Sequence, residues 1–133
     1  MKKKVESSTR ILIEKAMQDE CVLENLIDNT AITDETIGFH AQQAVEKLLK
    51  ALLSFLGQRY RKTHDIRELL DGLEDANCKV PDNLYEIRYL TPYAVEWRYE
   101  NFMVYDEPPL DRHKMLQLIK SLRQHVEKKI AAK

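Results

Sequence analysis

Apolar side chains recur along this chain three and four residues apart rather than at every second position, the spacing of one buried face of a helix. A first helix is predicted from near Val5 to near Asn29, with Val5, Leu12, Ala16, Leu23, Leu26 and Ile27 on one side and weak points at Thr9 and at Asp19 or Glu20. Thr33 is a suitable N-cap for a second helix, since its hydroxyl can accept an orphan backbone N–H, and Asp34 and Glu35 suit the positive end of the helix dipole. Ile37, Ala41, Ala44, Val45, Leu48, Leu52 and Leu56 form that helix's stripe, and Gly57 suits the left-handed position that closes it.

A third helix is predicted to start between Thr63 and Asp65, where Asp65 and Glu68 have capping-box spacing, and to bury Ile66, Leu69, Leu70 and Leu73. After the break at Asn77–Pro81, Asp82 is expected to cap a fourth helix with Leu84, Ile87, Thr91 and Ala94 inward, kinked or interrupted at Pro92. The last helix follows Pro108 and Pro109 and carries Met115, Leu118, Ile119, Leu122, Val126 and Ile130. Three glycines and four prolines among 133 residues leave few breaks in this pattern, and no strand-like alternation competes with it. Short connectors favour antiparallel neighbours. The expected fold is all-α, an up-and-down antiparallel bundle of four to five helices over a single domain, residues 1–133.

Periodicity does not require the order of residues on the second helix. Phe39-His40-Ala41-Gln42-Gln43-Ala44-Val45-Glu46-Lys47-Leu48-Leu49-Lys50-Ala51 resembles the signature helix of the HEPN domain family. Thr63-His64-Asp65-Ile66 resembles that family's Thr-His-Asp-Leu segment, and Tyr89-Leu90-Thr91-Pro92 followed by Trp97-Arg98-Tyr99 is similar to its later Arg-Tyr segment. The resemblance implies a helical bundle, a homodimer, and either nucleotide binding or metal-independent RNA cleavage. It also implies a partner, since similar proteins often act with a minimal nucleotidyltransferase in toxin–antitoxin-like pairs.

Composition narrows the classes. Cys21 and Cys78 lack the spacing of a zinc knuckle or a redox pair and read as reduced thiols. Lys2, Lys3 and Lys4 are not followed by a signal-peptide apolar core, and the apolar run near Leu48 to Leu56 is too short to span a bilayer, so a cytoplasmic protein without membrane attachment is expected. Net charge is −1, but Ala16 to Glu46 holds acids and no Lys or Arg, whereas Arg112, Lys114, Lys120, Arg123, Lys128, Lys129 and Lys133 face only Glu127. Two readings fit this asymmetry: a polyanion-binding face, or a solvated helix whose lysines suit the C-terminal end of the dipole.

Ribonucleases of the resembled family depend on an Arg followed four to six residues later by His. Such a His would move protons at the 2′-OH or the leaving oxygen, while Arg would offset charge on the phosphorane-like transition state. Arg98 has no His at that spacing; six intervening residues lead to Tyr105, a poor base with an ordinary pKa of about 10. Arg59 and His64 match literally, in the loop before the third helix, and with Arg98 they are the catalytic candidates. His40 and Gln43 stand one turn apart, fit either for a ligand or for bonds to another helix. Tyr85, Tyr89, Tyr93 and Trp97 recur every four residues and would make an aromatic stripe on a continuous helix, useful for base stacking or for an interface. The expected ligand-binding residues are therefore His40, Gln43, Tyr89, Tyr93, Arg98 and Tyr99. No metal spacing and no phosphate-cradling glycine loop is present, so no cofactor is expected. The reading adopted is a nucleotide- or partner-binding module, with a ribonuclease or a structural dimer as alternatives.

Overall fold

A computed structural model describes residues 7–94 and 109–132. Four α-helices, α1 (Ser7–Leu26), α2 (Asp34–Phe55), α3 (Ile66–Asp75) and α4 (Arg112–Ala131), and one 3₁₀ helix (Asp82–Tyr93) make up the described fold, which contains no strand. Of the expected helices, Val5 and the segment holding Trp97 to Pro108 lie outside the described residues.

Local chemistry accounts for most of the boundaries. Thr33 Oγ1 accepts the Thr36 N–H at 3.2 Å and starts α2. Gly57 ends it with φ of 72°, which lets Gln58 N–H reach the Leu53 carbonyl at 2.9 Å. Asp65 accepts the Arg67 N–H at 3.0 Å and Asp111 the Lys114 N–H at 3.1 Å, capping α3 and α4. The capping box predicted at α3 does not close, because the Glu68 carboxylate turns to the Arg61 guanidinium at 2.6 and 3.0 Å.

The segment expected as a fourth α-helix winds as 3₁₀ instead, and Pro81 rather than Asp82 precedes it without a side-chain cap. The reason lies in its buried residues. Leu84, Ile87, Leu90 and Tyr93 are three apart, and three residues per turn stack such positions on one edge facing the core. At that pitch, residues four apart point about a third of a turn away from each other. The expected aromatic stripe is therefore split: Tyr93 is buried, Tyr85 is half-buried beneath Lys79, and Tyr89 is 58% exposed.

Helix α2 is the axis of the fold. Ile37, Ala41, Ala44, Val45, Leu48 and Leu52 are buried as the pattern predicts, and so are Leu49, Ala51 and Leu53 on the other side. A helix buried nearly all round must be enclosed, and α1, α3, α4 and the 3₁₀ segment all pack against it. Thr9 bonds Ser54 at 3.1 Å and Asp19 bonds Lys47 at 2.7 Å, so α1 runs antiparallel to α2.

Helix α1 also runs antiparallel to α4, and here the uneven charge finds its use. Glu20 meets Arg123 at 2.8 Å, Glu24 meets Lys120 at 3.5 Å, and Asp28, just past α1, meets His113 at 2.7 Å. Arg112 binds Asp34 at 2.9 Å and donates to the carbonyls of Ile27, Asn29 and Ile32, closing the α1–α2 connector. Much of the basic helix thus neutralises acids of its own chain.

Gly38 in α2 lies directly beneath the Tyr93 ring, and a Cβ there would collide with that ring. Gly38→Ala is expected to destabilise the protein by about 1–3 kcal/mol through overpacking, seen as a lower urea midpoint. Gly72→Ala, whose Cβ would meet only the flexible Leu53 side chain at 3.4 Å, should cost far less.

Candidate functional site

Gln42, Glu46 and Lys50 are spaced four apart, so α2 lines them along one side. The periodicity places Glu46 off the buried stripe, yet it is only 6% exposed. Its Oε1 accepts from Gln42 Nε2 at 2.7 Å and from His64 Nδ1 at 2.8 Å, and its Oε2 accepts from Lys50 Nζ at 2.7 Å. A carboxylate can only accept, so His64 carries its proton on Nδ1 in this contact. Gln42 also donates to the His64 carbonyl at 3.3 Å and accepts from Gln43 Nε2 at 2.8 Å. His64 is thereby held through both its ring and its main chain.

The 3₁₀ segment joins the same cluster. Thr91 Oγ1 accepts the Ile66 N–H, one of the unpaired donors at the start of α3, at 3.1 Å, and donates to the Arg88 carbonyl at 3.2 Å. The second helix, the Thr-His-Asp segment and the Leu-Thr-Pro segment, read separately in the sequence, therefore meet at one polar node. A family model for the HEPN domain matches residues 9–129. The chain belongs to the HEPN family. Comparisons with curated proteins and with solved structures return no match.

Other candidates of this HEPN protein are dispersed. His40 Nδ1 donates to Asp19 at 3.1 Å, and Lys47 holds the second oxygen of that carboxylate, so His40 pins α2 to α1. Gln43 bonds Gln42 within α2. Arg59 is exposed in the loop leading to His64, and no described contact joins the two. Arg98 and Tyr99 lie outside the described residues. Among the described residues no group of three His, Cys, Asp or Glu side chains converges as a metal site, and no helix is long and apolar enough to cross a membrane.

Tyr89 and Tyr93 do share a feature, a groove of about 650 Å³ between the 3₁₀ segment and the N-terminal ends of α3 and α4. Periodicity in the sequence does not reveal it, because its walls come from three separate stretches. Its floor includes Leu90, Pro92, Leu110, Met115 and Leu118. On its rim the Arg88 guanidinium lies 4.4 Å from the Tyr89 ring centroid and donates to the Tyr89 hydroxyl at 2.8 Å.

Burial pushes the Glu46 pKa up, but hydrogen bonds from Lys50, His64 and Gln42, with the nearby Lys50 charge, outweigh it and hold the carboxyl below the usual 4.5. The folded chain thus binds fewer protons there than the unfolded chain. The resulting stability is complete above about pH 4.5 and is lost as pH falls through the folded value. Glu46→Ala should cost about 3 kcal/mol or more at neutral pH by stranding Lys50 and His64. The stability gap between wild type and Glu46→Gln, measured by urea denaturation, should narrow as pH is lowered from 7 to about 3.

Proposed function

We propose that this HEPN protein, acting as one domain over its whole length, is a binding module that pairs with a second copy of itself and with a minimal nucleotidyltransferase. The observation that supports this reading is the groove beside the 3₁₀ segment, an apolar floor with an exposed tyrosine on its rim. Such a surface suits recognition, since a ring braced by a guanidinium offers a flat contact at little cost in side-chain entropy. Nucleotide binding, which membership of the family also suggests, would use Tyr89 as a stacking face, with Arg98 and Tyr99 further along the chain as contacts. His40 and Gln43 serve this function by fixing α2.

The reading is tested with purified protein. A complex with a nucleotidyltransferase encoded beside this chain, or binding of ATP or GTP weakened by Tyr89→Ala, is the expected result of size-exclusion chromatography and calorimetry. Absence of both refutes it.

One observation favours a second reading. His64 is oriented by a buried carboxylate, an arrangement that readies an imidazole for proton transfer, and Arg59 lies on the same loop. Under this reading the protein is a metal-independent ribonuclease. Cleavage of RNA in EDTA that disappears in both His64→Ala and Arg59→Ala would establish it over the binding-module reading.

A further inference from the structure

Beyond both readings above, we infer that the loop joining α2 to α3 is a docking strip for single-stranded nucleic acid, held by its phosphates and one stacked base and not by its sugars. From Gly57 to Asp65 every fully exposed charged residue is a cation: Arg59, Arg61 and Lys62. The acid of the loop, Asp65, is half-buried and caps α3 by accepting the Arg67 N–H. Arg61 turns its Nε and Nη2 to Glu68, which ties the loop to α3, yet its side chain stays 76% exposed and keeps further N–H groups to offer. The loop leaves α2 at Phe55, the end of that helix opposite the one where Tyr93 and Leu110 flank residues 95–108.

An aromatic ring stands among these cations. Tyr60 is 38% exposed, and the Lys50 ammonium lies 5.8 Å from its ring centroid. Lys50 is held in turn by the buried Glu46 at 2.7 Å, so the ring rests against a fixed neighbour. A partly exposed ring backed by a cation is a platform for a base, and cations before and after it in the chain suit successive phosphates. A peptide bearing carboxylates would use the cations alone. The ring at their centre favours a strand that carries both phosphates and flat bases. Helix α4 holds the other concentration of cations, but there Arg112, Lys120 and Arg123 are each drawn to an acid of the fold.

The experiment uses the full chain, so that the acids of residues 95–108 are present, and labelled probes of about twelve nucleotides: oligo-dT, oligo-U and a DNA duplex. Fluorescence anisotropy in EDTA at about 20 mM salt should show both single strands binding within about threefold of each other. The duplex, whose bases are closed to the ring, should bind at least about tenfold more weakly. Tyr60→Ala should weaken oligo-dT by about tenfold, the effect of one lost stacked base, and Tyr60→Phe should restore it. Arg59→Ala combined with Lys62→Ala should lower the slope of log K against log salt by about 1.4, two phosphates at about 0.7 each. Lys128→Ala combined with Lys129→Ala, at the exposed end of α4, should change neither quantity. Equal binding of duplex and single strands, indifference to Tyr60→Ala, or a salt slope moved by the α4 pair in place of the loop pair overturns the inference. So does a poly-glutamate peptide that displaces labelled oligo-dT as well as unlabelled oligo-dT does, since cations alone would then account for binding. Oligo-dT has no 2′-OH for a ribonuclease to use, so its binding without any RNA cleavage refutes the ribonuclease reading and leaves the docking strip supported; cleavage without oligo-dT binding removes the docking strip alone.

Discussion

A single carboxylate, buried on the central helix, ties together the parts of this fold that are far apart in the chain. Glu46 belongs to the one element that every other described element touches, and its oxygens take donors from its own helix and from the loop that starts α3. Ionised carboxylates rarely go below the surface unless their lone pairs are filled. Here Lys50, Gln42 and His64 fill them, which fixes the end of the α2–α3 loop that leads into α3. Thr91 then fastens the 3₁₀ segment to the first amide of α3. The groove inherits its shape from this sequence of attachments.

Charge performs a similar task at the other end of the bundle. Arg112 gathers three carbonyls of the α1–α2 connector and one carboxylate, and Asp34 also accepts the Leu110 N–H at 3.0 Å. Leu110 precedes α4 and Arg112 opens it, so these hydrogen bonds anchor the start of that helix. Those to Asp34, led by the Leu110 amide, hold its pKa below the ordinary value. The ladder from Glu20 to Asp28 then fixes the register of α1 against α4. The two outer pairs, Glu24–Lys120 and Asp28–His113, are exposed and contribute little stability individually, whereas Glu20 is buried beside Arg123 and sets the alignment more strongly.

The helical class, the caps at Thr33 and Asp65, and the end of α2 at Gly57 were legible because each depends on residues close in sequence. The misreadings share an opposite cause. Glu46 sits four residues before Lys50, as countless exposed helix pairs do, and nothing nearby discloses that His64 comes back to cover it. The basic stretch after Asp111 suggested a surface for polyanions or solvent because its acidic partners lie some eighty to a hundred residues earlier. The 3₁₀ segment was open to a better reading. Leu84, Ile87, Leu90 and Tyr93 state a period of three, but the tyrosines, spaced at four, drew the pattern toward an α-helix. The groove lay beyond any local signal, since three distant stretches form it.

The period of three has an evolutionary consequence. In an α-helix a one-residue insertion turns every later residue by a little over a quarter of a circle, and neighbouring apolar positions can absorb part of the change. Along this tightly wound stretch only a single edge is greasy, and the same insertion carries it a full third of the way round, into water. Relatives should accordingly conserve the number of residues that separates Leu84, Ile87, Leu90 and Tyr93 more strictly than an α-helix would require.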